Sequence, residues 1–536
     1  MRRNHFMHAR AGLLICGALF ASNATAQETD ITQTPNAANA GIKKSYLEQI
    51  GAGRGDVMTP GSSSFIIKRD PFRAIVRGRQ LFQRKFQVAQ GSGPRTGDGV
   101  GDIETELSLG AGLADSCAAC HGRPQGSAGF GGAVFTRPGS RDAPHLFGLG
   151  LVEMLGDEIT GDLRAIRDAA IAQAAMSGVD VTLPLTSKRI AYGSISASPG
   201  GALDTSAVQG VDDDLRVRPF FAHGGTVSMR EFIVGAFNAE MGLESPDPDL
   251  LAAAGGADVV TPAGMRLTGS EDFVEGPPAA TVFDDPDLDG VVNEIPESIV
   301  DFMEFYLLNY FKPGARFAKS KGKPVARVSP DGLRLFRSVG CAVCHVPNMT
   351  IQNDRRVADV DTNLDLLQGN PYNNLFSDAA TLFNEVDDGS GFPTLKVPQG
   401  NRFVVRRFFS DLKRHDLGPN FWERNFDDSI RQEFVTEPLW GVGSTAPYGH
   451  DGRSVNLRSV ILRHGGEAQV SRDAFEALDE VRKLQLEIFL QTLVIFPPPD
   501  TASNLNPANA AAPNFPQNGH GSIDLSVLFN DQNDKE

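Results

Sequence analysis

Two stretches carry the residues most able to do chemistry: Cys117-Ala118-Ala119-Cys120-His121 and Cys341-Ala342-Val343-Cys344-His345. In a C-x-x-C-H run two thiols can form thioether bonds to the vinyl groups of a haem, while the adjacent imidazole becomes the proximal iron ligand. Two intervening residues let one turn present both sulfurs, and the next residue points its ring at the metal. A single match in a long chain could be half a zinc site. Two matches predict two covalently bound c-type haems, held by Cys117, Cys120, Cys341 and Cys344 and ligated by His121 and His345.

The cysteine count sharpens this. Of five cysteines, the fifth, Cys16, lies in a leader. Arg2, Arg3 and Arg10 precede the apolar run Ala11 to Ala21, and Ala24-Thr25-Ala26 offers a small-x-small cleavage site. Residues 1–26 therefore read as a signal peptide, and the mature chain is expected in the periplasm. A lipoprotein reading of Cys16 is disfavoured because Ile15 is large where a small residue is wanted. The four remaining cysteines are those of the two motifs, which leaves none for a disulfide framework or a four-thiolate zinc site.

The formal net charge of −16 becomes about −19 once three arginines leave with the leader. Such acidity argues against nucleic acid or an anionic membrane as partner and suits a small or basic redox partner; it equally serves plain solubility. No later stretch is long and apolar enough for a transmembrane span.

The sixth iron ligand decides what each haem can do. A second strong ligand makes an electron relay, and a vacant position lets iron bind peroxide or dioxygen. His464 ends an expected helix and precedes Gly465-Gly466, which permit close backbone approach, so it is the first choice for the second haem. His450, in His450-Asp451-Gly452-Arg453, is the second choice, its other role being to order a turn while Arg453 pairs with a haem propionate.

These groups need elements to position them. At 536 residues, 41% hydrophobic, the chain can bury a sizeable core and divide into domains. The expected fold class is mainly α: two cytochrome c-like haem domains in one chain, with irregular loop insertions and a few short strands. The expected divisions are a flexible arm over 27–65, an N-terminal haem domain over 66–320, a C-terminal cytochrome c domain over 328–497 and a disordered tail over 498–536. An insertion over 155–215 and an acidic, calcium-like loop over 285–294 belong to the N-terminal domain. Helical spacing appears over 74–86, 159–177, 297–311 and 330–338, and a final amphipathic helix is expected to use Leu478, Val481, Leu484 and Ile488. Pro219 to Gly242 matches Pro447 to Gly466 when Met229 is placed on Leu457, so the halves read as degenerate copies, with Ala236 where the second half has His464. Asp285, Asp287, Asp289 and Asn293 sit at alternate positions around Gly290, either as a calcium loop or as an acidic surface turn; Pro296, where a bidentate glutamate would stand, argues against a full EF-hand.

Several runs together resemble the di-haem oxidoreductase family, related to bacterial di-haem cytochrome c peroxidases and to the di-haem enzyme that matures methylamine dehydrogenase. They are Gly78-Arg79-Gln80-Leu81-Phe82, both C-x-x-C-H motifs, Ala143 to Gly150, Asn238-Ala239-Glu240-Met241-Gly242, Asp287 to Glu294, Pro438-Leu439-Trp440-Gly441, Ala446 to Arg453 and His464 to Ala468. The resemblance implies a six-coordinate C-terminal haem for electron input and an N-terminal haem where peroxide reacts. It implies that His464 stands where relatives have methionine or tyrosine, and that Glu240 is the acid serving the peroxide-binding haem. It further implies a calcium between the haems, held by Asp142 and the carbonyls of Thr445 and Pro447. Two departures stand out. No histidine accompanies Phe135-Thr136-Arg137, so the first haem is expected to rest open. The position of the family's bridging tryptophan falls near Phe221-Ala222-His223, and the tryptophans present are Trp422 and Trp440.

The expected activity is therefore reduction of hydrogen peroxide at the first haem, with electrons from a small soluble donor, a cytochrome c or cupredoxin, relayed through the second. The alternatives are a di-haem oxygenase using dioxygen on an organic substrate, and a pure electron-transfer cytochrome.

Overall fold

The computed structural model describes residues 44–86, 116–117, 121, 142–146, 148–286, 290–309, 319–320, 323–324, 330–364, 375–425, 427–443 and 445–493. The signal peptide, the tail over 498–536, Cys120, Asp287 and Asp289 lie outside the described residues.

Helix starts follow from local chemistry. Ser45 caps α1 (Tyr46–Ile50) in a reciprocal box with Glu48, and Ser62 caps α2 (Ser63–Arg69). Asp70 caps α3 (Pro71–Gln83), whose first residue is the proline that a helix tolerates best there. The long α4 (Leu149–Ser177) and α5 (Met229–Met241), the latter capped by Ser228, are followed by α6 (Pro248–Ala254) and α7 (Glu297–Asn309). In the second half come α8 (Pro330–Ser338), α9 (Leu457–Arg463), α10 (Gln469–Glu476) and α11 (Glu480–Gln491).

The helix α7 organises the first half because it is buried on every side from Ser298 to Asn309. α3 and α4 reach it through glycines: a Cβ on Gly78 would collide with the Phe302 carbonyl, and one on Gly150 with that of Leu308. Removing the side chain at those two crossings lets the backbones touch.

The expectation of a mainly α chain is overturned: 37% of the structure is helix and 17% strand. Among the described residues no helix occurs from Val346 to Asn456. That stretch is built of short antiparallel pairs: 348–351 with 403–406, 358–364 with 375–381, 383–386 with 395–398, and 414–416 with 433–435. Runs such as Phe403-Val404-Val405-Arg406, bounded by Gly and Asn turns, favour extended backbone over helix. In the first half a hairpin joins 181–187 to 190–197 through Lys188 and Arg189, both left-handed, as a tight two-residue turn requires.

Two further expectations need correction. The arm over 27–65 is ordered from Lys44 onward: Tyr46 is buried and its hydroxyl donates to the Glu294 carbonyl at 2.6 Å, while Ser62 and Ser63 are fully buried. On α11, Val481, Leu484 and Ile488 are exposed, whereas Leu486, Phe489 and Leu490 face the core. The helix has two apolar stripes, and the second wins because Gly332 of α8 admits its backbone at Gln485 and the Phe489 Cβ.

A large apolar core runs through the first half and takes in Met349, Ile351, Val405, Phe408 and Trp440 from the second. A smaller one gathers Phe336, Phe409, Leu457, Phe475, Leu486 and Phe489. Phe408 and Phe409, neighbours in sequence, belong to different cores. No helix among the described residues is long and apolar enough to cross a membrane.

Candidate cofactor centres

At the second motif, Cys341 to Val343 form a 3-10 turn, and the His345 N–H donates to the Cys341 carbonyl at 3.0 Å. One tight turn thus carries both thiols and the imidazole. Cys341 and Cys344 are not joined in a disulfide, and burial pushes the Cys341 thiol up to about 12. His345 Nδ1 lies 3.0 Å from the Phe409 carbonyl oxygen. A carbonyl can only accept, so Nδ1 carries the proton and Nε2 keeps its lone pair for a metal. Burial is the main reason the His345 imidazolium is pushed down to about 4, and proximity to His464 adds to it. The ring is therefore neutral and ready to ligate at neutral pH.

The loop that offers the Phe409 carbonyl is unusually constrained. Arg407, Phe409 and Leu412 all adopt left-handed backbone, with φ of 57°, 53° and 57°. Such conformations persist only where surroundings enforce them. Here Phe408 and Ser410 N–H groups donate to Pro347 and Val346 carbonyls at 2.9 and 3.2 Å, and the Tyr192 hydroxyl donates to the Asp411 carbonyl at 3.1 Å. The same loop presents Asp411 to His415, whose other ring nitrogen meets Glu467 at 2.7 Å. Burial alone would depress His415; Asp411 and the adjacent Cys344 outweigh it and push it up to about 11. Cys344, Asp411 and His415 are the group of ligand-type atoms within 4.8 Å of one another among the described residues.

His464 caps the end of α9. Its Nδ1 lies 2.7 Å from the Val460 carbonyl oxygen, again leaving Nε2 with its lone pair. Gly465 donates to the Leu417 carbonyl at 2.9 Å, and a Cβ on Gly466 would collide with the Asp416 carbonyl, so the glycines serve the close approach expected of them. His450 is occupied otherwise: it stacks on Phe434 at 4.0 Å and lies 3.7 Å from Glu423. Arg453 is mostly exposed, with Nε 3.5 Å from Asp451.

At the first motif Cys117 and His121 are both in helical conformation. The His121 Nδ1 lies 2.7 Å from the Pro144 carbonyl oxygen, the same anchoring as at His345. Burial, above all, lowers its proton affinity, and pushes the Cys117 thiol up to about 12. Its ring faces Phe232 of α5 at 6.4 Å. One turn on from Phe232 the helix carries Gly235 and Ala236, and beyond them the half-buried Glu240. A Cβ on Gly235 would meet no described atom within 4 Å. Small side chains thus face the side of α5 that His121 adjoins.

The donor set fits two haems: two thiols and a neutral imidazole on one turn at the second motif, with a second neutral imidazole nearby, and matching anchoring of His121 at the first. Of the candidate calcium residues, the Asp142 N–H donates to the His450 carbonyl at 2.9 Å, which brings it against the turn that Pro447 enters; Thr445 immediately precedes that turn. Asp285 accepts from the Gly290 N–H at 3.0 Å, closing the acidic loop, and Asn293 is left-handed at φ 54°.

Sequence reasoning passed over three features. The Phe409 carbonyl is a backbone atom without a residue-type signature. The partners of His415 lie far apart along the chain. Glu437 is exposed, and the protein packed beneath it raises the pKa of its carboxyl. The run Pro438-Leu439-Trp440, which adjoins it, was the available signal.

Residues 384–493 match a family described as "Di-haem oxidoreductase, putative peroxidase". The match takes in Trp440, the 447–453 turn and His464, and neither C-x-x-C-H motif. No curated protein matches the chain. Among solved structures it is similar to hydrazine synthase of Kuenenia stuttgartiensis, pressurised with xenon, at 16% identity and a TM-score of 0.22, over 37% of this chain and 55% of that one. The chain thus spans about half the length of that protein.

Proposed function

We propose, on the premise that residues 384–493 are those of a di-haem oxidoreductase, that the chain is an exported periplasmic enzyme that reduces hydrogen peroxide. Electrons would enter at the second centre from a small soluble cytochrome c or cupredoxin and be used at the first. The observation that carries this is the asymmetry of imidazoles. His345 and His464 sit close together, each with Nδ1 tied to a carbonyl and Nε2 left to ligate. His121 is anchored in the same way, but the corresponding position on its helix is Ala236.

Cys117, Cys120, Cys341 and Cys344 would attach the two haems covalently, and His121, His345 and His464 would ligate them. The bound groups supply one-electron chemistry, and a vacant iron position admits peroxide. The chain does the rest. Carbonyls of Pro144, Phe409 and Val460 fix the rings, and burial keeps them neutral. Glu240, on the last turn of α5, is assigned the proton work: it takes a proton from one peroxide oxygen and returns it to the other as water leaves. One peroxide, two electrons and two further protons give two waters. Arg453 is assigned to a haem propionate. Asp142 with the Thr445 and Pro447 carbonyls, and the loop of Asp285, Asp287, Asp289 and Asn293, are assigned to calcium.

The test counts open irons. In the resting protein, electron paramagnetic resonance is expected to show one high-spin and one low-spin haem, and carbon monoxide to bind one reduced haem per chain. His464→Ala is expected to open the second, and Ala236→His to close the first. Two low-spin, six-coordinate haems that ignore both carbon monoxide and peroxide would overturn the reading.

A further inference from the structure

Two redox centres in one chain need a route between them, and a continuous run of bonds joins the two motif histidines. From the first centre, His121 Nδ1–H donates to the Pro144 carbonyl at 2.7 Å. The next residue, His145, donates through Nε2 to the Trp440 carbonyl at 2.9 Å. One residue back from Trp440, the Leu439 N–H donates to the Phe408 carbonyl at 3.2 Å. The next carbonyl, that of Phe409, accepts from His345 Nδ1 at 3.0 Å. Every step between these hydrogen bonds is covalent. Trp440, Phe408 and Phe409 are 4%, 0% and 2% exposed, so the run is packed away from water at its second-centre end, while at the first His145 is half-buried and Pro144 exposed. Apart from the two ligand histidines, His145 supplies the one side chain in the run; the rest is backbone.

We infer that His145 is a positioning residue that ties the two centres into one redox unit, its bond to the Trp440 carbonyl completing a through-bond electron route from His345 to His121. This rests on the two-haem reading above. The step is a single electron: the reduced iron of the second centre is oxidised and the oxidised iron of the first is reduced. No atom moves, since each hydrogen bond keeps its proton on the donor nitrogen. Trp440 also stacks edge-on against Phe408 at 5.1 Å, which makes a ring-to-ring route the competing possibility.

The experiment uses the haem-loaded full chain. Haem is counted first by the pyridine haemochrome assay; fewer than two per chain defeats the two-centre reading itself. An electron is then injected by flash photoreduction of a flavin, and the re-equilibration between the haem absorbance bands is timed. His145→Phe and His145→Asn, which cannot bridge to Trp440, are each expected to slow it about tenfold, equivalent to about 1.4 kcal/mol in the barrier. His145→Gln, whose amide can reach the carbonyl, is expected to restore the rate, with midpoint potentials unchanged throughout. Trp440→Phe keeps the carbonyl and is expected to keep the rate. An unchanged rate in His145→Asn with two haems bound overturns the inference. So does slowing by Trp440→Phe without slowing by the His145 variants, which would assign the route to the rings.

Discussion

The turn and helix over 219–242 and those over 447–466 are two versions of one device, and their differences mark where the halves diverge. Each begins with an isolated antiparallel bridge, Phe220 to Thr226 in one and Tyr448 to Ser454 in the other. Each turns on a left-handed glycine at the matched position, Gly224 and Gly452. Each helix is then capped by a side chain at the matched residue, Ser228 and Asn456. From there they part. α5 runs on through Ala236 to Met241, whereas α9 stops at Arg463 and delivers His464 from an extended cap. The matched arginines divide as sharply. Arg230 is fully buried, bidentate to Asp247 at 2.7 and 2.9 Å and bonded to Asp301 and Glu304 at 2.9 and 2.8 Å. Burial lowers its proton affinity, and the three carboxylates outweigh that and hold the charge more firmly than on a free arginine. Arg458 lies at the surface with Glu480 and Glu487. One copy is clamped into the core by charge; the other, with its arginine at the surface, would serve as a ligand arm under the proposed function.

The largest expected break in this comparison is at the arginines. Arg230→Met leaves three buried carboxylates facing one another and should cost about 3–5 kcal/mol in urea unfolding, whereas Arg458→Ala should stay within about 1 kcal/mol. Equal effects would mean that the two copies are held alike.

The next effect is one of pH. Burial, which outweighs Arg230, pushes the Glu304 carboxyl up to about 7 from an ordinary value of 4.5. The folded chain therefore holds a proton that the unfolded chain has lost between those values. Stability should rise as pH falls through that window and be lost as pH climbs to 7, by about 3 kcal/mol at most. Glu304→Gln should flatten that part of the wild-type pH profile in thermal melts; a profile of unchanged slope would place the proton elsewhere.

The smallest effect concerns the caps. Ser228→Ala, at a buried cap, should cost about 1 kcal/mol, and Asn456→Ala about 0.5 kcal/mol. A larger loss at Asn456 would show that α9 depends on its cap more than on packing.

Helices were legible from apolar spacing over 74–86, 297–311 and 330–338, and the internal match of the halves was legible because the turn needs the same residue types twice. The strands over 346–456 were not. The pair 348–351 and 403–406 is four residues deep, and its partners are chosen by the core that Met349, Ile351 and Val405 enter. The buried stripe of α11 was misread because Val481-Leu484-Ile488 and Leu486-Phe489-Leu490-Leu493 are both apolar, and only the neighbour's glycine decides between them. Both C-x-x-C-H histidines were plain in the sequence. Their anchors were not, because Pro144 and Phe409, like Val460 at His464, act through carbonyls that every residue possesses.

One peptide bond, between Phe408 and Phe409, passes from the larger core to the smaller, and its residues are 0% and 2% exposed. Unfolding of either core should strain the packing of the neighbouring phenyl ring in the other. The two halves should therefore lose structure together, as a single cooperative transition with matching calorimetric and van't Hoff enthalpies.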